Sequence, residues 1–326
     1  MKAIVQDVYG PADVLQLRDI DQPPVDDDEV LVGVRAAGVD PGVWHLMTGR
    51  PYLVRTFGFG LRRPTVPVRG LDLAGVVEAV GAAVTDLRPG DEIYGVCESG
   101  SYAEYATARR QRLAHKPANL SFAQAAVTPI SGTTALQAVR DCASVQPGQQ
   151  VMVIGAAGGV GSFAVQIAKA YGATVTGVCS TGKADLVRSL GADDVIDYTR
   201  DEIDRHGARY DVIIDTAGNR PLRLLRRALT PRGTLVLVGG ENGGGPLLGG
   251  FDRAMLRAPL LSMVTRQRLR GLIAKVRTAD LDELRRLIES DAVTPVIDHT
   301  YPLVAAPDAI RHVAGGHAKG KAVVTV

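Results

Sequence analysis

The chain has 326 residues, which is long enough for two domains. Of these residues 46% are hydrophobic and 22% are charged, a composition that excludes a disordered or fibrous protein. Its 37 basic and 35 acidic residues leave a formal charge of +2, so no global field favours nucleic acid or an anionic membrane as a partner. Three scattered cysteines fit a reducing compartment, and the first residues do not resemble a secretory signal, so we expect a cytoplasmic protein.

The first third of the chain predicts a β-rich domain, because short extended runs alternate with Pro and Gly. These runs span residues 2–5, 29–36, 73–80, 91–96 and 102–106. From about residue 122 the pattern changes to strand-length apolar runs that alternate with helices, which is typical of βαβ units in a doubly wound parallel sheet. The predicted strands here are 150–154, 174–178, 194–196, 212–214 and 234–238, and the predicted helices are 159–171, 183–190 and 221–229.

The last third predicts a return to the first domain. An apolar run at 260–264 is interpreted as the last strand of the parallel sheet, and its open edge predicts a homodimer. After a helix at 280–290, extended runs follow at 293–299 and 322–326. We therefore expect a β-rich domain at 1–121 and 291–326 and a doubly wound domain at 122–290.

The strongest local motif is VMVIGAAGGVGSFAVQIAKAYG at 151–172. Residues 151–168 carry no charge, but their clustered glycines favour a strand, a tight turn and a helix over a membrane span. Backbone N–H groups at such a helix N-terminus bind a pyrophosphate. Ala156 stands where the usual G-x-G-x-x-G motif begins with glycine. The candidate cofactor-binding residues of this turn are Gly155, Ala156, Gly158, Gly159, Val160 and Gly161.

The end of the second parallel strand predicts the choice of cofactor. A carboxylate there binds a ribose 2′-hydroxyl, whereas donors and cations bind a 2′-phosphate. This chain has Ser180, Thr181 and Lys183, and no carboxylate until Asp185. The pattern predicts NADPH as the cofactor, and an ordinary polar helix cap with a solvated lysine remains the alternative.

Several further motifs extend over nearly the whole chain. They are AAGVDPGVWHLMTG, GLDLAGVVEAVG, RPGDEIYG, GSYAEYA, SGTTALQA and the final GKAVVTV. Together with the glycine turn they resemble the medium-chain dehydrogenase/reductase superfamily, specifically its zinc-free quinone oxidoreductase-like branch. The resemblance implies an α/β protein with a GroES-like catalytic domain beside a Rossmann cofactor domain, and an active site between them.

The resemblance also implies a reaction without metal. Zinc-dependent relatives carry Cys where Asp40 stands and a His-Glu pair where this chain has Leu71 and Asp72. Without a Lewis acid, a conjugated acceptor is the easier hydride target, because hydrogen-bond donors can stabilise the charge on its oxygen. We therefore expect a zinc-independent reductase that transfers hydride from NADPH to a quinone or an α,β-unsaturated carbonyl compound.

The family pattern assigns roles to individual residues. Tyr52, in a loop that resembles the substrate loop, is the candidate donor to the substrate oxygen, and aromatic packing alone is an equally good interpretation of it. His45 is a second candidate, and water is an alternative proton source. Asp40 would contact the nicotinamide carboxamide, although a turn-forming Asp before Pro41 is nearly as good an interpretation. The remaining residues expected to line the cofactor are Thr133, Tyr198, Gly239 and Gly240.

Two other functions remain open. One is metal-free oxidation and reduction of alcohols and aldehydes by the same fold. The other is a non-catalytic NADPH-binding protein with a structural or RNA-binding role, as in some relatives of the superfamily. Turnover of saturated alcohols would indicate the first, and NADPH binding without oxidation by any quinone or enone would indicate the second.

Overall fold

The computed structural model describes residues 1–56, 59–204, 210–238, 253–316 and 318–326. They divide into two compact units. The first comprises residues 1–133, 275–290 and 295–326, and the second comprises 134–274 and 291–294. The boundaries expected from the sequence differ from this division chiefly at 122–133 and 275–290, which the structure groups with the first unit.

Strands and short helices make up both units. The strands are Lys2–Val5 (β1), Gln16–Asp19 (β2), Glu29–Val39 (β3), Asp72–Val80 (β4), Glu92–Val96 (β5), Tyr105–Arg109 (β6), Leu113–His115 (β7), Gln150–Ile154 (β8), Thr174–Cys179 (β9), Asp194–Asp197 (β10), Tyr210–Asp215 (β11), Leu229–Leu237 (β12), Arg268–Gly271 (β13), Ile297–Pro302 (β14) and Lys321–Thr325 (β15). The α-helices are Pro41–Thr48 (α1), Phe122–Ala126 (α2), Pro129–Leu136 (α3), Gly159–Ala170 (α4), Ala184–Ser189 (α5), Leu222–Ala228 (α6), Ala258–Met263 (α7), Thr278–Glu289 (α8) and Ala306–Ala314 (α9).

The first unit is built on a mixed sheet in the order β14-β15-β3-β4-β5-β7, in which β6 also pairs with β3. Strand β15 runs antiparallel to β3 and parallel to β14, so the last strands of the chain join a sheet begun by the first ones. Alternate residues of β3 and β4, such as Val30, Val32 and Val77, are buried in one apolar cluster. The register between β3 and β4 shifts twice, and such bulges increase the bending of a strand.

The second unit contains a parallel sheet in the order β10-β9-β8-β11-β12-β13. The predicted doubly wound sheet is therefore confirmed, and its order is that of a dinucleotide-binding fold. The strand order reverses between β8 and β11, and ligands of such sheets bind beyond the carboxyl ends of the strands at this switch point. Residues 151–154 of β8 are buried, as expected for a central strand covered on both faces.

The uncharged stretch 151–168 forms β8, a glycine turn and most of α4, as predicted. Throughout the part of the chain that the structure describes, no helix has the length and apolar character needed to cross a membrane.

The predicted strand at 260–264 is wrong. This run lies in and just after helix α7, and the edge strand of the parallel sheet is β13. Pro259 is the physical reason, because proline is well tolerated in the first turn of a helix and disfavoured within a sheet. A short apolar run does not by itself distinguish a strand from a helix. Three of its side chains, Leu260, Met263 and Val264, are also exposed.

Candidate functional site

A tight turn follows β8 at the switch point of the parallel sheet. Gly155 has a φ of +79°, in the left-handed region that glycine adopts without strain. Gly161, in the first turn of α4, packs against this turn, and a Cβ at that position would lie 2.0 Å from the carbonyl oxygen of Gly155. Glycine at 161 therefore allows the helix to begin directly behind the strand.

The N-terminus of α4 has the features of an anion site. Its N-cap residue, Gly158, has no side chain that could cap the helix. Ser162 donates to the carbonyl of Gly158 at 2.9 Å, so the N–H groups of Gly159, Val160 and Gly161 precede the first helical hydrogen bond. Such N–H groups, together with the helix dipole, bind phosphate. The predicted pyrophosphate-binding residues are thus brought together at one helix end.

Ala156, the departure from the usual glycine pattern, is accommodated by the neighbouring strand. Its side chain is fully buried. It faces Gly177 of β9, where an added Cβ would lie 3.1 Å from the Ala156 Cβ and 2.3 Å from Cγ1 of Val187. Because Gly177 has no side chain, the alanine methyl group fills space below the turn. The alanine is therefore compatible with a dinucleotide site.

The residues predicted to bind the 2′-phosphate lie in the turn after β9. Ser180 precedes a short 3-10 turn at Thr181–Lys183. The hydroxyl of Thr181 donates to Oδ2 of Asp197 at 2.5 Å. Asp197 is the last residue of β10, and its register partner in β9 is Cys179. The neighbouring strand thus places a carboxylate beside this turn.

Sequence analysis missed Asp197. Hydrogen bonds from Thr181 and Thr199 lower the pKa of the Asp197 carboxyl group, so it is ionised at neutral pH. The signal was present in the sequence, because the ends of adjacent parallel strands meet at the same edge of a sheet. An acidic residue that closes the third strand therefore lies beside the end of the second.

Tyr198 and Arg220 extend this strand-end surface. The N–H of Tyr198 donates to the carbonyl of Cys179 at 3.1 Å, and the Tyr198 ring is exposed. The guanidinium carbon of Arg220 lies 5.6 Å from the centre of that ring. Nε of Arg220 is buried and lacks a hydrogen-bond partner in the described ranges. Arg220 was not predicted as a site residue. It places a cation next to the predicted residue Tyr198, and its Nε can still donate a hydrogen bond.

Asp40 belongs to a buried charged cluster in the first unit. It is the N-cap residue of α1, but its side chain does not cap that helix. Instead its Oδ1 accepts a hydrogen bond from Nζ of Lys321 and lies 3.4 Å from the hydroxyl of Ser131. The same ammonium is 3.7 Å from Oδ2 of Asp72, whose Oδ1 accepts from the N–H of Ile130 at 3.1 Å. Two buried carboxyl groups therefore share one buried lysine.

The cluster favours a proton on Asp72. Burial and the charge of Asp40 raise the pKa of Asp72 well above its ordinary value, and Lys321 opposes them only in part. With Asp72 protonated, the charges of Lys321 and Asp40 cancel. A neutral cluster is the arrangement that a buried site tolerates best.

Tyr52 and His45 lie at the loop that follows α1. Tyr52 begins a 3-10 turn at Tyr52–Thr56 and is exposed. The guanidinium carbon of Arg55 lies 4.9 Å from the centre of the Tyr52 ring and 4.3 Å from that of Tyr9. Nδ1 of His45 is 2.7 Å from the carbonyl oxygen of Arg50. Tyr52 therefore has its ring held against a cation, and its role as a donor to substrate stays a prediction.

Thr133 is fully buried in α3, and its hydroxyl has no hydrogen-bond partner within the residues that the structure describes. An unpartnered buried hydroxyl fits the expected contact with a cofactor. Gly239 and Gly240 lie outside the described residues. The structure thus gathers the predicted glycine-turn and strand-end residues in the second unit, and it joins Asp40 to residues that sequence analysis did not select.

Two family models match the chain. The model described as "Alcohol dehydrogenase GroES-like domain" matches residues 26–118, and the one described as "Zinc-binding dehydrogenase" matches residues 190–324. Together with the sheet order of the second unit, they confirm the GroES-like and Rossmann fold class.

Named relatives and solved structures agree with these matches. A chloroplastic NADPH-dependent alkenal/one oxidoreductase of Arabidopsis thaliana is 35% identical, and the alignment covers 99% of this chain and 79% of the relative. A 2-methylene-furan-3-one reductase of Solanum lycopersicum is 33% identical, with 99% and 79% covered. The quinone oxidoreductase structure from Coxiella burnetii has a TM-score of 0.86 and 29% identity, over 100% of this chain and 99% of that one.

The donor set at the family's zinc position does not fit zinc. Zinc in proteins is held by thiolate, imidazole and carboxylate ligands around a single cation. At the positions that hold catalytic zinc in related enzymes, this chain has Asp40, Leu71 and Asp72. The ammonium of Lys321 lies between the two carboxyl groups. A second cation placed there would be repelled by the lysine and would lack thiolate and imidazole ligands.

Proposed function

The chain belongs to the medium-chain dehydrogenase/reductase family, in its quinone oxidoreductase-like branch, and from this premise we propose that it transfers hydride from NADPH to a quinone or an α,β-unsaturated carbonyl compound. The observation that carries the proposal is the open N-terminus of α4 at the switch point of the parallel sheet. The name of the Arabidopsis relative specifies NADPH and alkenal or alkenone, and that of the Coxiella structure specifies quinone.

NADPH supplies the hydride, and the second unit offers groups to hold both of its phosphate regions. The N–H groups of Gly159 to Gly161 suit the pyrophosphate. Ser180, Thr181 and Lys183 suit the 2′-phosphate, with the Tyr198 ring and the Arg220 cation close to the same strand ends. Asp197 places a carboxylate at this turn, and its oxygens accept from Thr181 and Thr199.

The first unit offers a hydrogen-bond donor for the substrate. When hydride reaches the β-carbon of an enone, negative charge develops on the carbonyl oxygen. The phenol of Tyr52 is exposed and has its ring held by Arg55, so it can donate to such an oxygen with little loss of side-chain freedom. Water then supplies the proton that completes the reduction.

The absence of zinc ligands at the family's metal position supports a conjugated substrate. Lys321 lies where a metal would have to act, and a buried ammonium between two carboxyl groups does not polarise a substrate as a Lewis acid does. We therefore expect activity that survives EDTA. Loss of turnover on chelation, with recovery on addition of zinc, would refute this part of the proposal.

A spectrophotometric screen of NADPH oxidation tests the function. It should include 1,4-benzoquinones, 9,10-phenanthrenequinone, linear enones and enoyl thioesters, each with and without EDTA. We expect oxidation with at least one quinone or enone. Binding of NADPH without oxidation by any of them would indicate a non-catalytic protein, and turnover of saturated alcohols would indicate a metal-free alcohol oxidoreductase.

We also propose a cytoplasmic homodimer. Strand β13 is the edge strand of the parallel sheet in the described residues. The exposed apolar side chains of Leu260, Met263 and Val264 lie in and just after helix α7, which precedes β13 in the chain. The outer edge of a sheet and exposed apolar side chains each favour association with a partner. The three cysteines are all free thiols, which supports a reducing compartment. A monomer in light scattering at micromolar concentration would contradict the dimer.

A further inference from the structure

Two histidines and one aspartate converge on the outer strand of the first unit. Asp298 and His299 lie in β14, and His312 lies in the last turn of α9. Oδ2 of Asp298 is 2.6 Å from Nε2 of His312 and 3.4 Å from Nδ1 of His299. The three ligand atoms all lie within 4.8 Å of one another. Nothing in the proposed reaction uses these residues.

A bulge in β14 creates this convergence. Ile297 pairs with Lys321 and His299 pairs with Ala322, so Asp298 is an extra residue without a partner in β15. In a regular strand, neighbouring side chains point to opposite faces. The inserted residue interrupts that alternation, as bulges commonly do where a side chain is redirected. Asp298 and His299 can therefore both face His312.

The distances suit a transition-metal ion. In a tetrahedral zinc site with bonds of about 2.0 to 2.2 Å, ligand atoms are separated by about 3.3 Å. The 3.4 Å between Nδ1 of His299 and Oδ2 of Asp298 already matches this value. The 2.6 Å between Nε2 of His312 and the same oxygen needs to lengthen by less than about 1 Å. Neutral imidazoles can present these nitrogens as lone-pair donors by carrying their protons on the far ring nitrogens.

The surroundings also support a bound cation. The Asp298 side chain is 14% exposed and that of His312 is 26% exposed, whereas His299 at 58% leaves a side open to water. The adjacent cation on α9, Arg311, is paired with Asp13 and Asp308.

We infer that Asp298, His299 and His312 form a binding site for a divalent ion of the zinc class, which joins β14 to α9, with water completing the coordination. Two imidazoles and one carboxylate are ligands that such ions accept, and the mixed set disfavours Mg²⁺ and Ca²⁺, which prefer oxygen. The site shares no residue with the cluster of Asp40, Asp72 and Lys321. It stands independently of the proposed function, because no step of hydride transfer depends on it.

Calorimetric titration of EDTA-treated, dialysed protein with Zn²⁺ tests the inference. We expect one ion per chain at this site and a rise in the melting temperature on binding. Asp298→Asn and His299→Ala should each weaken binding at least about tenfold, by analogy with the 10- to 100-fold losses seen when only outer-shell partners are removed. His115→Ala is the matched control, because His115 is an exposed histidine of the same unit on β7. It should leave binding unchanged.

Two further measurements separate this site from other zinc ligands. Co²⁺ titration should give an absorption spectrum without the intense thiolate band, which distinguishes imidazole and carboxylate ligands from the cysteines. Binding should weaken in acid, because imidazole binds metal only when unprotonated. If Zn²⁺ does not bind, or if it binds equally to the wild type, Asp298→Asn and His299→Ala, the three residues do not form a metal site and interact only through hydrogen bonds. Turnover of NADPH should not change with zinc, so failure here leaves the proposed function untouched.

Discussion

Nζ of Lys321 lies 3.7 Å from Oδ2 of Asp72, and the two side chains are 3% and 0% exposed. The same ammonium donates to Asp40. Burying a charge is costly unless a partner compensates it. The ammonium of Lys321 therefore compensates the negative charge of the buried carboxyl groups that stand where zinc-dependent relatives carry metal ligands. The effect of this charge on stability can be measured.

Removal of the ammonium should destabilise the protein strongly. Lys321→Met keeps the length of the side chain but leaves Asp40 as an uncompensated buried charge. Breaking a buried pair from one side typically costs about 3 to 5 kcal/mol of unfolding free energy. Urea denaturation followed by circular dichroism measures this loss. Adding Asp40→Asn to the variant should recover part of it, because the unpaired charge is then gone.

An exposed lysine provides the comparison. Lys169 pairs with Asp193 at 2.8 Å, but both side chains are about one-third or more exposed. Lys169→Met should change the free energy of unfolding by less than about 1 kcal/mol, since solvent screens such pairs. Equal losses for the two lysine variants would show that the buried cluster has no special electrostatic role.

The raised pKa of Asp72 gives the stability a definite dependence on pH. A group whose pKa is higher in the folded than in the unfolded state contributes stability below its unfolded pKa, and this contribution is lost as the pH rises through the folded pKa. The ordinary value is 3.8. The stability of the wild type relative to Asp72→Asn should therefore be greatest near that pH and decline towards neutrality. Urea denaturation from about pH 4 to about pH 8 measures the difference.

Asp193 should give the opposite dependence of stability on pH. A hydrogen bond from Lys169, with another from the N–H of Val175, lowers the pKa of Asp193. Its contribution is present above the unfolded pKa and lost as the pH falls through the folded one. The stability of the wild type relative to Asp193→Asn should therefore shrink in acid. A profile for Asp72→Asn with this same sign would contradict a protonated Asp72.

Cofactor preference should depend on the turn after β9. Lys183→Ala removes a cation from the proposed 2′-phosphate site. Loss of one charged hydrogen bond costs about 1.5 to 3 kcal/mol, which corresponds to roughly tenfold or more in affinity. NADPH binding should weaken by that factor, and NADH binding should barely change because NADH lacks the phosphate. Fluorescence titration with both cofactors measures this, and equal weakening of the two would contradict the assignment.

Asp197 should act in the opposite direction at the same turn. Its carboxylate accepts from Thr181 and is near enough to repel a phosphate bound there. Asp197→Asn keeps an oxygen acceptor for the N–H of Thr199 and removes the charge. We expect tighter binding of NADPH and little change for NADH in the same titrations. Weaker NADPH binding would mean that Asp197 supports the site by holding Thr181 in place.

Tyr52→Phe tests the proposed donor to substrate. The phenylalanine ring can still pack against the Arg55 guanidinium, so the substitution removes only the hydroxyl. We expect turnover to fall while NADPH affinity stays nearly unchanged, because the lost hydrogen bond forms with the developing oxyanion. Tyr301→Phe, which removes a hydroxyl from β14 of the same unit, is the control. Turnover equal to that of the wild type would leave Tyr52 with a packing role only.

Local patterns were sufficient to predict most of the strands. The bounds of β1 and β8 coincide with the predicted runs, because each is a short and mostly apolar segment. The run at 260–264 has a length and composition that suit either a strand or a helix, and Pro259 is the residue that favours the helix. Its exposure could not be read from the sequence, since exposure depends on what the rest of the chain covers.

The charged cluster could not be predicted from local patterns. Lys321 and Asp40 are 281 residues apart, and neither has a spacing that signals its partner. Asp40 was selected through the family pattern, whereas Lys321 lay just outside the predicted final strand at 322–326. By contrast, Asp197 was accessible to reasoning from the sheet order alone. Sequence analysis thus identifies sites within one βαβ unit more readily than sites assembled from distant segments.

Because Lys321 lies near the end of the given sequence, its charge reaches the first unit late in synthesis. At about 5 to 20 residues per second, the ribosome adds this lysine roughly 15 to 60 s after Asp40. Until then the nascent first unit contains two carboxyl groups destined for burial and no ammonium to accompany them, so water must continue to solvate them. Residues 134–274, which make up nearly all of the second unit, have meanwhile been synthesised. We therefore expect the cofactor unit to fold on the ribosome first, and the N-terminal sheet to close only when β15 arrives with its charge.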